Sequence, residues 1–77
     1  MVTIFRAHGL RVVIYLDDHE PAHVHVFGDG HAKINLIGDG PELVWVEGMK
    51  RAEVRQAVRL VAERRDDFLA RWREIHG

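Results

Sequence analysis

Apolar and polar positions alternate with a period of two through most of the first two thirds of the chain. Leu10, Val12, Ile14 and Leu16 interleave with Arg11, Val13 and Tyr15. Successive strand residues point to opposite faces, so this segment predicts a strand with one fully apolar face. Thr3 to Ala7 reads as a shorter strand before it, with His8-Gly9 as the turn between them. Asp17-Asp18-His19-Glu20-Pro21 breaks the pattern, since Pro21 fixes its own φ and biases Glu20 away from helix. His23 to Phe27 alternates again. Gly28-Asp29-Gly30 predicts a type I′ hairpin turn, and Ala32 to Leu36 continues the meander. A second Gly-Asp-Gly at 38–40, followed by Pro41, precedes a fifth candidate strand from Leu43 to Glu47.

Beyond Gly48-Met49 the period changes to that of a helix. Val54, Val58, Val61, Phe68, Trp72 and Ile75 recur at helical spacing, with Ala57 and Leu69 widening the stripe and Arg65 falling at its edge. One helix from Lys50 or Arg51 to Ile75 is expected, stopped by Gly77. The predicted class is α+β in a single domain, 1–77. A four- to five-stranded, mainly antiparallel β-meander (1–47) is followed by one long C-terminal helix (50–76) packed on one sheet face. If Val12, Ile14, Val24, Val26, Ile34 and Leu36 face that helix, the other face carries Arg11, Val13, Tyr15, His23, His25, Phe27, Lys33 and Asn35. No second helix is expected to cover that face. It is therefore open to water, to a partner, or to a second copy in a homodimer.

Composition narrows the chemistry. Seventy-seven residues make one thin-cored domain. With 47% hydrophobic and 30% charged residues the chain is globular and not disordered. Cysteine is absent, which removes disulfides and thiolate metal sites. Serine is absent too, so neither a Ser nor a Cys nucleophile is available. There is no P-loop, no G-x-G-x-x-G, no signal-peptide pattern and no apolar run long enough to span a bilayer. A cytoplasmic protein without membrane contact and without an organic cofactor is expected. Net charge is −1 but uneven. Residues 1–47 carry three basic side chains against seven acids, −4, and residues 48–77 carry eight against five, +3. An anionic partner should meet the C-terminal part first.

Three histidines carry the candidate chemistry. His23 and His25 lie two apart on a strand, on the same side and about 7 Å apart at their bases, with His19 just before Pro21. Neutral imidazoles at this spacing suit a divalent metal, with Asp17 or Asp18 as an oxygen donor. They equally suit a metal-free acid–base pair that cleaves RNA, one imidazole taking the 2′-hydroxyl proton while another group protonates the leaving oxygen. Arg11 and Lys33, on the same face, would stabilise charge on phosphorus. The acid–base reading leads; the alternative is a non-catalytic protein-binding module in which His19, His23 and His25 organise the loop and a basic helix stripe docks an acidic partner, and the metal-dependent site at the three histidines is third. On the helix, Arg51, Arg55 and Arg59 form a basic stripe. Their mutual repulsion, and the placement of positive charge at a helix start, oppose stability. The stripe therefore suggests an anionic partner, either phosphate or an acidic protein segment. Local pairing, such as Arg59 with Glu63, is the plainer alternative. Trp45 and Trp72 lie on patterned faces and are expected in the core.

The chain also resembles the bacterial family known as domain of unknown function 4160. The residues that carry the resemblance are Met1 to Thr3, Gly9 to Arg11, Asp18-His19-Glu20-Pro21-Ala22-His23-Val24-His25-Val26, Ala32-Lys33, and the Leu69 and Trp72 region. Ala22 stands where the family motif has a second proline. The resemblance implies a compact bacterial domain with the histidine motif as its signature. It further implies one half of a toxin–antitoxin-type pair, with a small protein partner encoded nearby; joined to the histidine chemistry above, the leading expectation is the toxin-like member, acting on RNA.

Overall fold

Five strands and two helices follow in order: β1 (Val2–Ala7), β2 (Leu10–Ile14), β3 (His23–Phe27), β4 (His31–Asn35), β5 (Glu42–Glu47), α1 (Arg51–Glu63) and α2 (Arg65–His76). They are seen in a computed structural model that describes residues 1–77. The sheet is a pure antiparallel meander in the order β1-β2-β3-β4-β5. The fold is α+β as expected, with all five candidate strands formed.

The β1–β2 turn uses His8 and Gly9, both left-handed at φ 56° and 75°. This is the backbone that a two-residue hairpin requires and that glycine adopts without strain. The β3–β4 turn differs from the expected type I′, because none of residues 28–30 has a positive φ. It is a three-residue loop closed by Phe27 and His31, with the Gly28 N–H donating to the Gly30 carbonyl at 2.9 Å. Gly30 is needed there for room. A Cβ on it would run into the Glu47 carbonyl and the Gly48–Met49 backbone. β2 ends at Ile14, two residues earlier than the alternation suggests, and Leu16 lies exposed in the following loop.

The face assignment holds. Val12, Ile14, Val24, Val26, Ile34 and Leu36 are fully buried in one cluster with Ala57, Leu60 and Val61 of α1 and Phe68 and Trp72 of α2. The helix, by contrast, is two helices. Arg64 breaks it with φ −122° and ψ 21°, and its N–H reaches back three residues to Val61 instead of four. The cause is chemical: a continuous helix would turn Arg64 and Arg65 toward the core along the line from Val61 to Phe68. The break gives both cations partners. Arg64 lies 4.2 Å above the Phe5 ring. Arg65 donates to the carbonyls of Leu36 and Gly38, tying α2 to the β4–β5 loop.

The helix layer covers β5 only partly. Ala32 and Ile34 on β4 are fully buried, whereas their β5 neighbours Val46 and Leu43 are each 37% exposed. Trp72 takes the core position expected of it. Trp45 does not: it sits on the opposite face of β5 and is exposed, because no layer covers the sheet at that edge.

Candidate functional site

The second sheet face is built in cross-strand rows. Arg11, Phe27, His31 and Glu47 form one, and Thr3, Val13, His25, Lys33 and Trp45 the next. His23, Asn35 and Glu42 form the third. Without any helix over it, this face still buries its centre. His23 is 4% and His25 7% exposed, and Val13 is fully buried. The expectation of an open face is thus corrected at its middle. The cover is local: the loop after β2 folds back over the two imidazoles, the Tyr15 ring meets His25 edge-on at 4.6 Å, and Trp72 closes the His23 end at 5.1 Å.

Asp18 is the residue that this loop delivers. The Asp18 N–H donates to the Tyr15 carbonyl at 3.2 Å, and the Tyr15 N–H donates to Asp18 Oδ2 at 3.1 Å. These two bonds fix the carboxylate above the strand. Asp18 Oδ2 lies 3.2 Å from His23 Nε2 and 3.8 Å from His25 Nε2. The ligand atoms of Asp18, His23 and His25 all fall within 4.8 Å of one another.

The other nitrogen of each imidazole is engaged. His23 Nδ1 is 2.9 Å from the Pro21 carbonyl. A carbonyl only accepts, so Nδ1 carries the proton. A neutral His23 then aims its Nε2 lone pair at a carboxylate oxygen, two electron-rich atoms in contact. The contact becomes favourable when a cation, a proton or a metal ion, lies between them. His25 Nδ1 and His31 Nε2 lie 2.9 Å apart and share one proton. Burial lowers the His25 pKa to about 4. Asp18 opposes that shift, while His23, His31 and Lys33 add to it. His31 is lowered as well, by burial, with Glu47 opposing. Both rings are therefore neutral near pH 7, the state in which imidazole binds metal.

Beside this centre is an open depression of about 490 Å³, whose lining includes Asp18, His19, His23, His25, Lys33 and Trp45. The structure thus brings His23, His25 and Lys33 together with Asp18. His19 is exposed on the rim, outside the converging set. Arg11 does not line the depression and instead lies 5.3 Å above the Phe27 ring. Arg51, Arg55 and Arg59 are exposed on α1, across the sheet from the histidines, and none is ion-paired, Arg59 with Glu63 included.

Sequence reasoning missed His31. Its signal was available: the apolar alternation of β4, carried two residues back from Lys33, puts position 31 on the histidine face. The close contact with His25 needed the hairpin register.

No helix is long and apolar enough to cross a membrane. No curated protein and no solved structure matches the chain. Residues 9–73, which run from the β1–β2 turn into the last turn of α2 and include every member of the Asp18, His23 and His25 centre, match the family model described as domain of unknown function DUF4160, and the chain belongs to that family.

Proposed function

We propose that Asp18, His23 and His25 hold one divalent transition metal of the zinc type, and that the protein uses it to hydrolyse a phosphodiester, with RNA as the substrate. The observation that carries this reading is the His23–Asp18 contact: an imidazole with Nδ1–H committed to Pro21 turns Nε2 toward a carboxylate at 3.2 Å. Metal bonds of about 2.0–2.1 Å in a tetrahedral site separate ligand atoms by about 3.3 Å. The His23–Asp18 distance fits that edge, and the His25–Asp18 distance of 3.8 Å needs a closure of about half an ångström. Pro21 O and His31 Nε2 hold the two rings by their outer nitrogens, the support that metal-bound histidines ordinarily have.

Three protein ligands beside an open depression match the pattern of catalytic zinc, which keeps one coordination position free; structural zinc is enclosed by four. A metal there would supply a more acidic water and polarise a phosphoryl oxygen. The chain's own residues do the rest. Lys33, lining the depression, neutralises an anionic group. His19, on the rim of the depression, is the remaining imidazole that would hand a proton to a leaving oxygen. With no Ser or Cys in the chain, a covalent intermediate on either is unavailable, which leaves water or the RNA's own 2′-hydroxyl as the nucleophile. The toxin-like role in a two-gene pair fits such an activity.

Zinc or nickel titrated into chelator-treated protein should bind at one site per chain, and His23→Ala or Asp18→Asn should abolish it. Cleavage of a labelled RNA should require the metal. Absence of binding in the unmodified protein refutes the centre. Cleavage that persists in chelator favours a second reading, a metal-free acid–base pair. The lowered His25 pKa supports that reading, because it keeps a neutral base beside His23.

A further inference from the structure

The outer edge of the sheet at β5 is unlike the rest of the surface. Leu43, Val44, Trp45 and Val46 are consecutive and 37–44% exposed. They point to both faces of the sheet, Leu43 and Val46 on the helix side and Trp45 on the histidine side. β5 pairs only with β4, so its other side presents free backbone N–H and C=O groups. An exposed apolar edge strand is a template for another strand, and proteins ordinarily blunt such edges with lysines, inward charges or a covering element. Here the four central residues carry none of these; the strand's one irregularity is a bulge at Val44, which brings Glu42 and Glu47 to the same, histidine-side face. The charges stand at the two ends, Glu42 and Glu47, both exposed and neither ion-paired.

That arrangement selects the occupant. In a symmetric antiparallel pairing of β5 with a second copy, the register that overlaps all four apolar residues sets Glu42 opposite Glu47 twice. Like charges directly opposite are destabilising. Pairing β5 with the β1 edge of another copy makes a head-to-tail contact that need not close. An extended segment of a different protein meets neither obstacle if it carries a basic residue opposite each glutamate. We infer that β5 is a strand-addition site for an extended, β-forming segment of another protein, apolar at its centre and with Lys or Arg at both ends, four residues apart, the spacing at which β4 meets Glu42 and Glu47 from Asn35 and His31. Backbone hydrogen bonds provide the attachment, and the paired glutamates provide selectivity and register. Trp45 belongs both to this edge and to the lining of the depression. A segment added here therefore reaches the mouth of the histidine centre. The inference is independent of any metal.

The probes are two capped synthetic peptides, Lys-Val-Thr-Val-Lys and Glu-Val-Thr-Val-Glu, added to the full chain and followed by backbone NMR. The lysine peptide should shift β5 amide resonances and slow their hydrogen exchange, and bind roughly fivefold or more tightly than the glutamate peptide. In the double variant Glu42→Lys and Glu47→Lys the preference should invert. Replacing the lysine peptide's first Val by Pro should abolish binding, since Pro removes a ladder donor. Unmoved β5 resonances at about millimolar peptide, the level at which binding free energy is near −4 kcal/mol, would overturn the proposal. A charge preference that does not invert in the double variant would do so as well. A stable dimer in sedimentation, abolished by Val44→Pro, would overturn it in favour of a second copy.

Discussion

Acidification should unfold this protein through His25. An ordinary histidine takes a proton near pH 6.5, whereas His25 in the fold does so near 4, chiefly because burial penalises its charged form. The unfolded chain therefore binds the proton first as pH falls. Stability is complete above about pH 6.5 and is lost progressively down to about pH 4. At pH 5.0 the unfolded side chain is protonated and the folded one is not. The gap of about 1.5 units from the ordinary value, at about 1.4 kcal/mol per unit, costs about 2 kcal/mol relative to pH 7.5. At pH 4 the cost approaches about 3 kcal/mol, a large fraction of the roughly 5 kcal/mol typical of small domains. The His31 shift has the same sign and adds to the loss. Urea unfolding followed by tryptophan fluorescence, at pH 7.5 and 5.0 with chelator present, measures the difference. His25→Gln removes the titration, so its loss between the two pH values should be smaller than that of the unmodified protein by about 2 kcal/mol. Comparing losses cancels any constant cost of the substitution. Equal losses in the two proteins would show that His25 is not the group being titrated, and that its burial does not exclude charge as argued.

Three further outcomes follow from the packing and the helix surface. Val26→Ala, at a fully buried site under α1, should cost roughly 1–3 kcal/mol in denaturant unfolding with an unchanged slope. Arg65→Gln should cost roughly 1–3 kcal/mol, because the Leu36 and Gly38 carbonyls lose charge-assisted donors. Arg65→Lys should recover only part of it, since an ammonium cannot reproduce the guanidinium fork. The double variant Arg51→Ala and Arg55→Ala should melt at the same temperature or slightly higher, its repulsion and dipole clash relieved by roughly 0.2–1 kcal/mol, while any association with an anionic partner weakens. A lowered melting temperature would show that these arginines support the helix.

The strands and their facing were present in the sequence, because alternation is a local property. Val24 and Val26 must point one way if His23 and His25 point the other, and burial of the first pair follows once any apolar layer exists. The helical period beyond Met49 and the positions of the glycine-rich turns were readable for the same reason, but the split into two helices and the type of the β3–β4 turn were not. Contacts between elements were not. Nothing local says that the Tyr15–Asp18 turn folds back to set a carboxylate between two imidazoles, or that hairpin register delivers His31 to His25. The helix break at Arg64 is hidden because Val61 and Phe68 are seven apart, a spacing that an unbroken helix also satisfies. Only the need to find partners for Arg64 and Arg65 interrupts it. Trp45 shows the limit most plainly. Its alternation is that of a core residue, but it faces away from the helices, on the side of the sheet that no layer covers at this edge. The helices cover their own side of β5 only partly, and so one apolar strand is left at an open edge beside the histidine centre.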